Sequence, residues 1–505
     1  MLKAFPRYNL LLAVLLSCVP IAAADGLKPD PSLRSSVPQR WWESAAGLKV
    51  VTLKQGRSYA AEVISLDSSK AAAQFDRIRA QGIQAIEIFA PAEGRRAYSG
   101  LDTINHYRID PELGTMADFR RLVQLAHSKG LAVVIFHNIG YYSVEAPDWL
   151  EACDMMKAGK NDGKVKWFLW ADKSDAPPPV PDDSEFYVNT NPGGDGTGHA
   201  KTWGWQYSPR AGKYYWSRWE ARQQDGTAVG LPANNWGSEE WPAEAGRIVK
   251  FWMDTGIDGM LIDAPLFYTG LTWEKNNRSI TDIVLSHGNT MVQPEGGRTP
   301  AWITEGNYNC IQDYRLRNWG GKWQQDSIQS AIATGDPRPI EDALKFHDSI
   351  VTAGAVLYQK GYNSYEEPAR RHMARATLAA IGDMIVYTRG RGEGQSEPDT
   401  EETWILQTKS AHPALHNLSL RRKLTTNADD KYYALLRTAR DGSERMVVAL
   451  NYQPTPQTVE IDVAGVAAAG LLDVRNGEFI ERHSTIKIDL PAYGYRFFTV
   501  VPPAK

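Results

Sequence analysis

Short apolar runs recur along the chain, each followed or preceded by a stretch whose apolar positions fall at helical spacing. LKVVTLK (48–54) leads into SSKAAAQFDRIRAQG, and IQAIEIFA (83–90) precedes MADFRRLVQLAHSKG, which LAVVIFHN (131–138) follows. After a break the rhythm resumes. PAEAGRIVKFWMDTG leads to IDGMLIDA (257–264), and a helical segment around TWEKNNRSITDIVLSHG leads to AWITEGN (301–307). AGAVLYQ (353–359) and GDMIVYT (382–388) flank a helix at RRHMARATLAAI. Near-continuous apolar strands that alternate with amphipathic helices predict parallel strands covered on both faces. With a further strand near Cys310–Tyr314, where the signal is poor, the pattern predicts eight strands and a (β/α)8 TIM barrel.

Two regions depart from this rhythm. Residues 151–241 are rich in Gly, Pro, Asp and Trp, as in DAPPPVPDDSEF and NPGGDGTGHAKTWGWQ. A connection that long inside a compact domain is usually functional, and here it predicts a loop-rich insertion after strand 3, a lid or small subdomain above the strand ends. Towards the C-terminus, KYYALLRT, RMVVALNY, QTVEIDV, STIKIDL and YRFFTV alternate with period two and predict an antiparallel β-sandwich. The predicted organisation is therefore a leader at 1–24, a barrel over 25–150 and 242–410, the insertion at 151–241, and the sandwich at 411–505.

Composition changes the picture only at a few points. The 17 Trp and 22 Tyr fit sugar binding, because aromatic faces stack on sugar C–H groups, and they fit a large core equally well. A formal charge of −3 over 505 residues argues against a nucleic-acid or anionic-membrane partner. Lys3 and Arg7 precede LLLAVLLSCVPIAAAD, the pattern of a secretory signal peptide with cleavage after Ala24, which implies a secreted or periplasmic protein. Leu15-Leu16-Ser17-Cys18 offers a lipoprotein-type alternative that would tether the chain at Cys18. The remaining cysteines, Cys153 and Cys310, would be free to pair in an oxidising compartment.

Chemistry enters with the carboxylates. Asp263 closes one apolar run, in MLIDAP, and Glu305 closes the next, in AWITEGN. A carboxylate at the end of an apolar strand is costly to bury, and barrel active sites lie at those ends. Two on neighbouring strands suit retaining glycoside hydrolysis, which sets a nucleophile and a general acid/base about 5–5.5 Å apart. Metal-ligand clusters of the His/Cys type and phosphate-cradling Gly loops are absent from the sequence, and no cofactor is expected.

These segments resemble the α-amylase family of glycoside hydrolases. GIDGMLIDAP (256–265) is similar to its G-x-D-G-x-R-x-D signature, and SGLDTINHYRIDPELGTMADFRRLVQLAHSKGLAVVI (99–135) resembles its stretch between strands two and three. The resemblance spans about residues 48–390 and implies that Asp263 is the nucleophile and Glu305 the general acid/base. It implies that Asp102 binds the sugar on the non-reducing side, and that Asp258, beside Gly259, is structural. The third family carboxylate matches Glu366 when AVLYQKGYNSYEEPARR is aligned on Pro368. Ser364-x-x-Glu367 ahead of a helix also reads as a capping box with Pro368 in the first turn. His347-Asp348 fall within a helical pattern.

The chain departs from the family in three places. Leu261 stands where the family has Arg, and Phe136 where it has the Asp that pairs with that Arg. Losing one partner would strand a buried charge at about 3–5 kcal/mol, whereas replacing both with apolar side chains is close to neutral. The family's Asn-His at the end of strand three becomes Gly140-Tyr141, which removes support for the family's calcium site. Tyr141 is then a sugar-binding residue, and His137 and Asn138 take that role if the register shifts by one. The expected activity is retaining α-glycosidase hydrolysis of α-glucosidic or related oligosaccharides. The alternatives are a catalytically impaired barrel that binds carbohydrate or a partner protein, and a retaining enzyme of another barrel family.

Overall fold

The computed structural model describes residues 36–54, 60–95, 100–176, 204–222, 228–265, 273–295, 300–312, 327–360, 367–388, 397–466, 468–481 and 483–503. Eight parallel strands carry the first part of the chain: β1 (Gly47–Thr52), β2 (Ala85–Phe89), β3 (Ala132–His137), β4 (Gly259–Ile262), β5 (Met291–Pro294), β6 (Cys310–Gln312), β7 (Val356–Lys360) and β8 (Met384–Tyr387). They pair in the order β5-β4-β3-β2-β1-β8-β7-β6. Side chains join the two ends of this row. Asn309 accepts from the Val292 amide (2.8 Å) and donates to the Thr290 carbonyl (2.9 Å), while Cys310 Sγ donates to Gln293 Oε1 (3.5 Å).

Alternation along the strands sorts the core into two sides. Val50, Phe89, Phe136, Leu261, Met291, Cys310, Val356 and Val386, one from each strand, are buried in a single cluster. Residues of opposite parity, such as Ile88, Ile135 and Ile262, pack instead with apolar residues of the helices α1 (Ser68–Ala80), α2 (Met116–Ser128) and α3 (Glu240–Met253). A cluster fed by all eight strands accords with a sheet curled round on itself. Asp67 caps α1 by accepting from the Ser69 and Lys70 amides, and Thr115 with Asp118 forms a reciprocal capping box on α2. Gly259 is needed where β4 meets β5, since a Cβ there would lie 2.2 Å from the Met291 carbonyl oxygen.

The fifth strand is not where the apolar pattern placed it. AWITEGN is no strand: Ala301–Thr304 forms one helical turn, and β5 lies ten residues earlier in MVQP. The helix α4 (Trp273–Ser286) precedes it, and α5 (Arg338–Thr352), α6 (Pro368–Ile381) and α7 (Thr400–Ala411) follow β6, β7 and β8. The capping box expected at Ser364 and Glu367 also needs correction. Glu367 is itself the N-cap of α6, with Pro368 at the first helical position and no side-chain cap bond, and Ser364 lies outside the described residues.

Between β3 and α3 the chain forms a helix, Pro147–Lys157, and a small antiparallel sheet. In that sheet Lys213–Arg222 pairs with Ala228–Pro232, Trp170–Ala171 and Gly204–Ser208. Trp149 stacks on Trp170 (5.1 Å, 8°) and meets Tyr215 edge-on, tying this sheet to the larger core. At the C-terminal end a six-stranded sheet (β9 Leu420–Leu424, β10 Tyr432–Thr438, β11 Arg445–Asn451 and three later strands) shares an apolar cluster with a two-stranded sheet. Cys153 and Cys310 are buried free thiols and form no disulfide: Cys153 shares a hydrogen bond with Ser208, and Cys310 bonds Gln293. The leader residues 1–24, with Cys18, lie outside the described residues.

Candidate active site

Strand β4 delivers one acid. Met260 and Ile262 face the helices and Leu261 faces the enclosed cluster, so Asp263, one step beyond the strand, has the parity of the enclosed side. The residue is 5% exposed, its amide donates to the His137 carbonyl (3.0 Å), and Oδ2 accepts from the Tyr141 hydroxyl at 2.8 Å. Ala264 follows with φ 41°, a left-handed conformation that costs a residue with a Cβ about 1–2 kcal/mol. Ala90, at the end of β2, does the same at φ 45°. Such strain gathers at functional sites.

The second acid is one the sequence reading missed. Leu261 and Ile262 register against Gln293 and Pro294, and the Glu295 amide donates to the Ile262 carbonyl at 2.8 Å. Glu295, half-buried, therefore stands beside Asp263 on the adjoining strand end, two residues on from Gln293 and of the same parity. Glu305 does not. It is exposed, ends the turn Ala301–Thr304, and its amide closes back on the Ala301 carbonyl. The spacing of the preceding helix could have found Glu295. Gly288 ends the TDIVLSHG segment, and a strand of four residues after it reaches Glu295.

The other expected site residues occupy different settings. Asp102 is fully buried, between Leu101, whose carbonyl accepts from Asn138 Nδ2 (2.8 Å), and Thr103, whose carbonyl accepts from the Ser143 amide (2.8 Å). Asn138 is a loop pin rather than a sugar ligand: its amide nitrogen also donates to the Tyr141 carbonyl and its oxygen accepts from the Gly140 amide. His137 lies on the helix side, 3.2 Å from the His106 ring nitrogen and packed against Trp252 of α3, with burial pulling its pKa down to about 3. A neutral ring held there has no face to offer a substrate. Glu366 lies outside the described residues.

Beneath Asp263 the immediate register neighbours are apolar. Leu261 and Phe136 are direct register partners, both within 2% of full burial, and Phe136 stacks on Phe89 (4.9 Å, 20°). The expected joint replacement of an ion pair by packed side chains is what the strands hold. Asp258 is structural, as expected: Oδ2 accepts from the Val133 amide (2.8 Å) and meets His127 Nε2 (2.6 Å), tying β4 to α2 and β3. His347 is buried on α5 against Asp383 (2.7 Å).

Parallel strands thus end in two adjacent acids, Asp263 and Glu295, at the end of the sheet where barrel active sites lie. Residues 72–305 match the family model described as alpha amylase, catalytic domain, so this stretch of the chain is similar to the α-amylase family of glycoside hydrolases. It is 27% identical over 191 residues to the oligo-1,6-glucosidase of Heyndrickxia coagulans, covering 38% of this chain and 30% of that one. It is 28% identical over 170 residues to the trehalose synthase of Thermus thermophilus, covering 34% of this chain and 15% of the relative. The chain thus spans under a third of the length of these relatives. Among solved structures, Eubacterium rectale Amy13B superposes with a TM-score of 0.67 at 14% identity, over 94% of this chain and 99% of that one. That likeness shows the fold, a (β/α)8 barrel with a C-terminal β domain.

Proposed function

We propose that the chain is a retaining α-glycosidase acting on α-glucosidic bonds of oligosaccharides, with Asp263 as nucleophile and Glu295, in place of Glu305, as general acid/base. One observation carries this reading: the Glu295 amide bonds the Ile262 carbonyl, which sets the two acids on adjoining strand ends. Neighbouring strands lie about 4.8 Å apart, a spacing compatible with the roughly 5–5.5 Å of a retaining pair. An Asp263 oxygen attacks the anomeric carbon as the glycosidic C–O bond breaks and Glu295 protonates the leaving oxygen. Glu295 then takes a proton from water, whose oxygen displaces Asp263 and restores the α configuration.

The relatives named above support α-glucoside chemistry. On this reading Glu366 supplies the third acid from the segment after β7, Asp102 holds the non-reducing-side sugar, and the insertion stands over the strand ends. The leader pattern of residues 1–24 points to a secreted or periplasmic protein. The apolar Leu261–Phe136 floor favours the second reading, a barrel that binds sugar without turning it over.

The test compares wild type with Asp263→Asn, Glu295→Gln and Glu305→Gln on 4-nitrophenyl α-glucoside and α-linked oligosaccharides, with product anomers followed by NMR. On the oligosaccharides the first two variants should lose activity by at least about 100-fold, the size of a general acid/base contribution. Glu295→Gln should lose less on the nitrophenyl glucoside, whose leaving group needs little protonation, and Glu305→Gln should stay near wild type. Equal rates in all four proteins would sink the catalytic reading. A β-configured first product would move the chain to another stereochemistry.

A further inference from the structure

We infer that Tyr141 is the positioning residue of the nucleophile, and that the insertion after β3 holds it in place. The inference rests on Asp263 being that nucleophile. Neither Leu261 nor Phe136, its register partner, carries a donor, so this pair offers Asp263 no cation. The Tyr141 hydroxyl donates to Asp263 Oδ2 at 2.8 Å, and both residues are buried. A phenol O–H on a buried carboxylate fixes its rotamer and takes up part of its charge, which a hydrogen bond to an ionised group does more strongly than one between neutral groups.

Tyr141 is itself held from the insertion. Its backbone forms an antiparallel bridge with Ala233, and the next amide, of Tyr142, donates to the Pro232 carbonyl at 3.0 Å. Trp219, on the strand Lys213–Arg222, lies against the Tyr141 ring at 6.2 Å and 45°. Leu231, its register partner, is buried in the same cluster as Tyr141, Leu261 and Phe136. From the other side Asn138 Nδ2 donates to the Tyr141 carbonyl at 2.8 Å. With its backbone bridged to Ala233 and Trp219 tilted against its ring, the Tyr141 side chain reaches Asp263. The side chain of His137, whose carbonyl receives the Asp263 amide, is turned to His106, and Glu295 is the acid on the adjoining strand end.

Tyr141→Phe removes the donor and little else. With α-glucosyl fluoride, whose leaving group needs no proton, kcat should fall by about 10- to 100-fold with KM little changed. The acid limb of kcat/KM should move to higher pH, because the carboxylate loses a bond that favours its charged form. Glu295→Gln should be far less impaired on the fluoride than on an oligosaccharide, and Asp263→Asn should be inactive on both. An active Asp263→Asn would overturn the assignment of the nucleophile itself. A Tyr141→Phe enzyme with unchanged kcat and an unmoved acid limb would overturn the inference and leave that assignment standing. Trp219→Ala keeps the hydroxyl but loosens it, so it should show a smaller fall with the same shift. Crystal structures provide a readout that needs no turnover: the Asp263 carboxylate should leave its wild-type rotamer in Tyr141→Phe, and an undisturbed carboxylate counts against the inference.

Discussion

At the scale of single residues, the Leu261–Phe136 pair decides how the floor of the site tolerates its departure from the family. Both side chains are buried and in register, so the site has lost a cation and an anion together and filled the space with carbon. Restoring one charge alone should be costly. Leu261→Arg would bury a guanidinium opposite Phe136, at about 3–5 kcal/mol of unfolding free energy, measurable by urea denaturation. Adding Phe136→Asp in the same chain should recover a large part of that loss. If the double variant is no more stable than Leu261→Arg alone, the two positions do not face each other as the register requires. The departure itself was legible, since Leu261 and Phe136 each occupy a position where the resemblance supplies a named charge. What the sequence did not show was the Tyr141 hydroxyl on Asp263, because that contact depends on a rotamer set by the insertion.

At the scale of elements, β3, α3 and the strand Thr103–Ile109 meet at a pair of histidines. His106 and His137 lie 3.2 Å apart, enclosed by Tyr142, Trp241 and Trp252, and burial depresses both, His137 to about 3. Folding keeps the rings neutral, whereas the unfolded chain protonates them near the ordinary value of about 6.5. Their contribution is therefore complete above that pH and is lost progressively as pH falls below it, for His137 towards about 3. Urea unfolding from pH 7 to pH 4.5 should show this decline, and His106→Leu should make it shallower; an identical slope in the variant would exclude the pair as its source. Elements with long apolar runs were legible for the same reason that they are buried: β1 to β4, β7 and β8 are covered on both faces. β5 was not, since MVQP is four residues long, carries a buried Gln293 that bonds Cys310, and ends in proline. AWITEGN outcompeted it on composition while folding as a helical turn, which put Glu305 forward in place of Glu295 at the end of β5. The strands of the insertion escaped notice because their signals sit among Gly- and Pro-rich segments.

At the scale of the whole molecule, the C-terminal sheet is fastened to the barrel by a buried guanidinium. Arg437 on β10 is fully enclosed and donates to three carbonyls: Ile381 at the end of α6 (3.1 Å), and Ala414 (3.2 Å) and His416 (3.0 Å) beyond α7. Gly382 makes room for it; φ there is 92°, and a Cβ would come within 2.5 Å of an Arg437 nitrogen. The same glycine turns the chain from α6 into β8, so the contact fixes the approach to a barrel strand as well as the docking of a domain. Burial also draws the Arg437 pKa down, to about 10, so the cation remains charged at neutral pH and relies on these carbonyls. Arg437→Met fills most of the volume but takes the guanidinium donors from the Ile381 and Ala414 carbonyls, while His416 keeps the Ser419 amide. The loss should cost roughly 2 kcal/mol or more. Because the contact reaches β8, heat should still unfold the variant in one transition, at a lower temperature, with barrel and C-terminal sheet melting together. Calorimetry that resolved two transitions, with the barrel's unmoved, would show instead that the C-terminal sheet is carried by the barrel without supporting it.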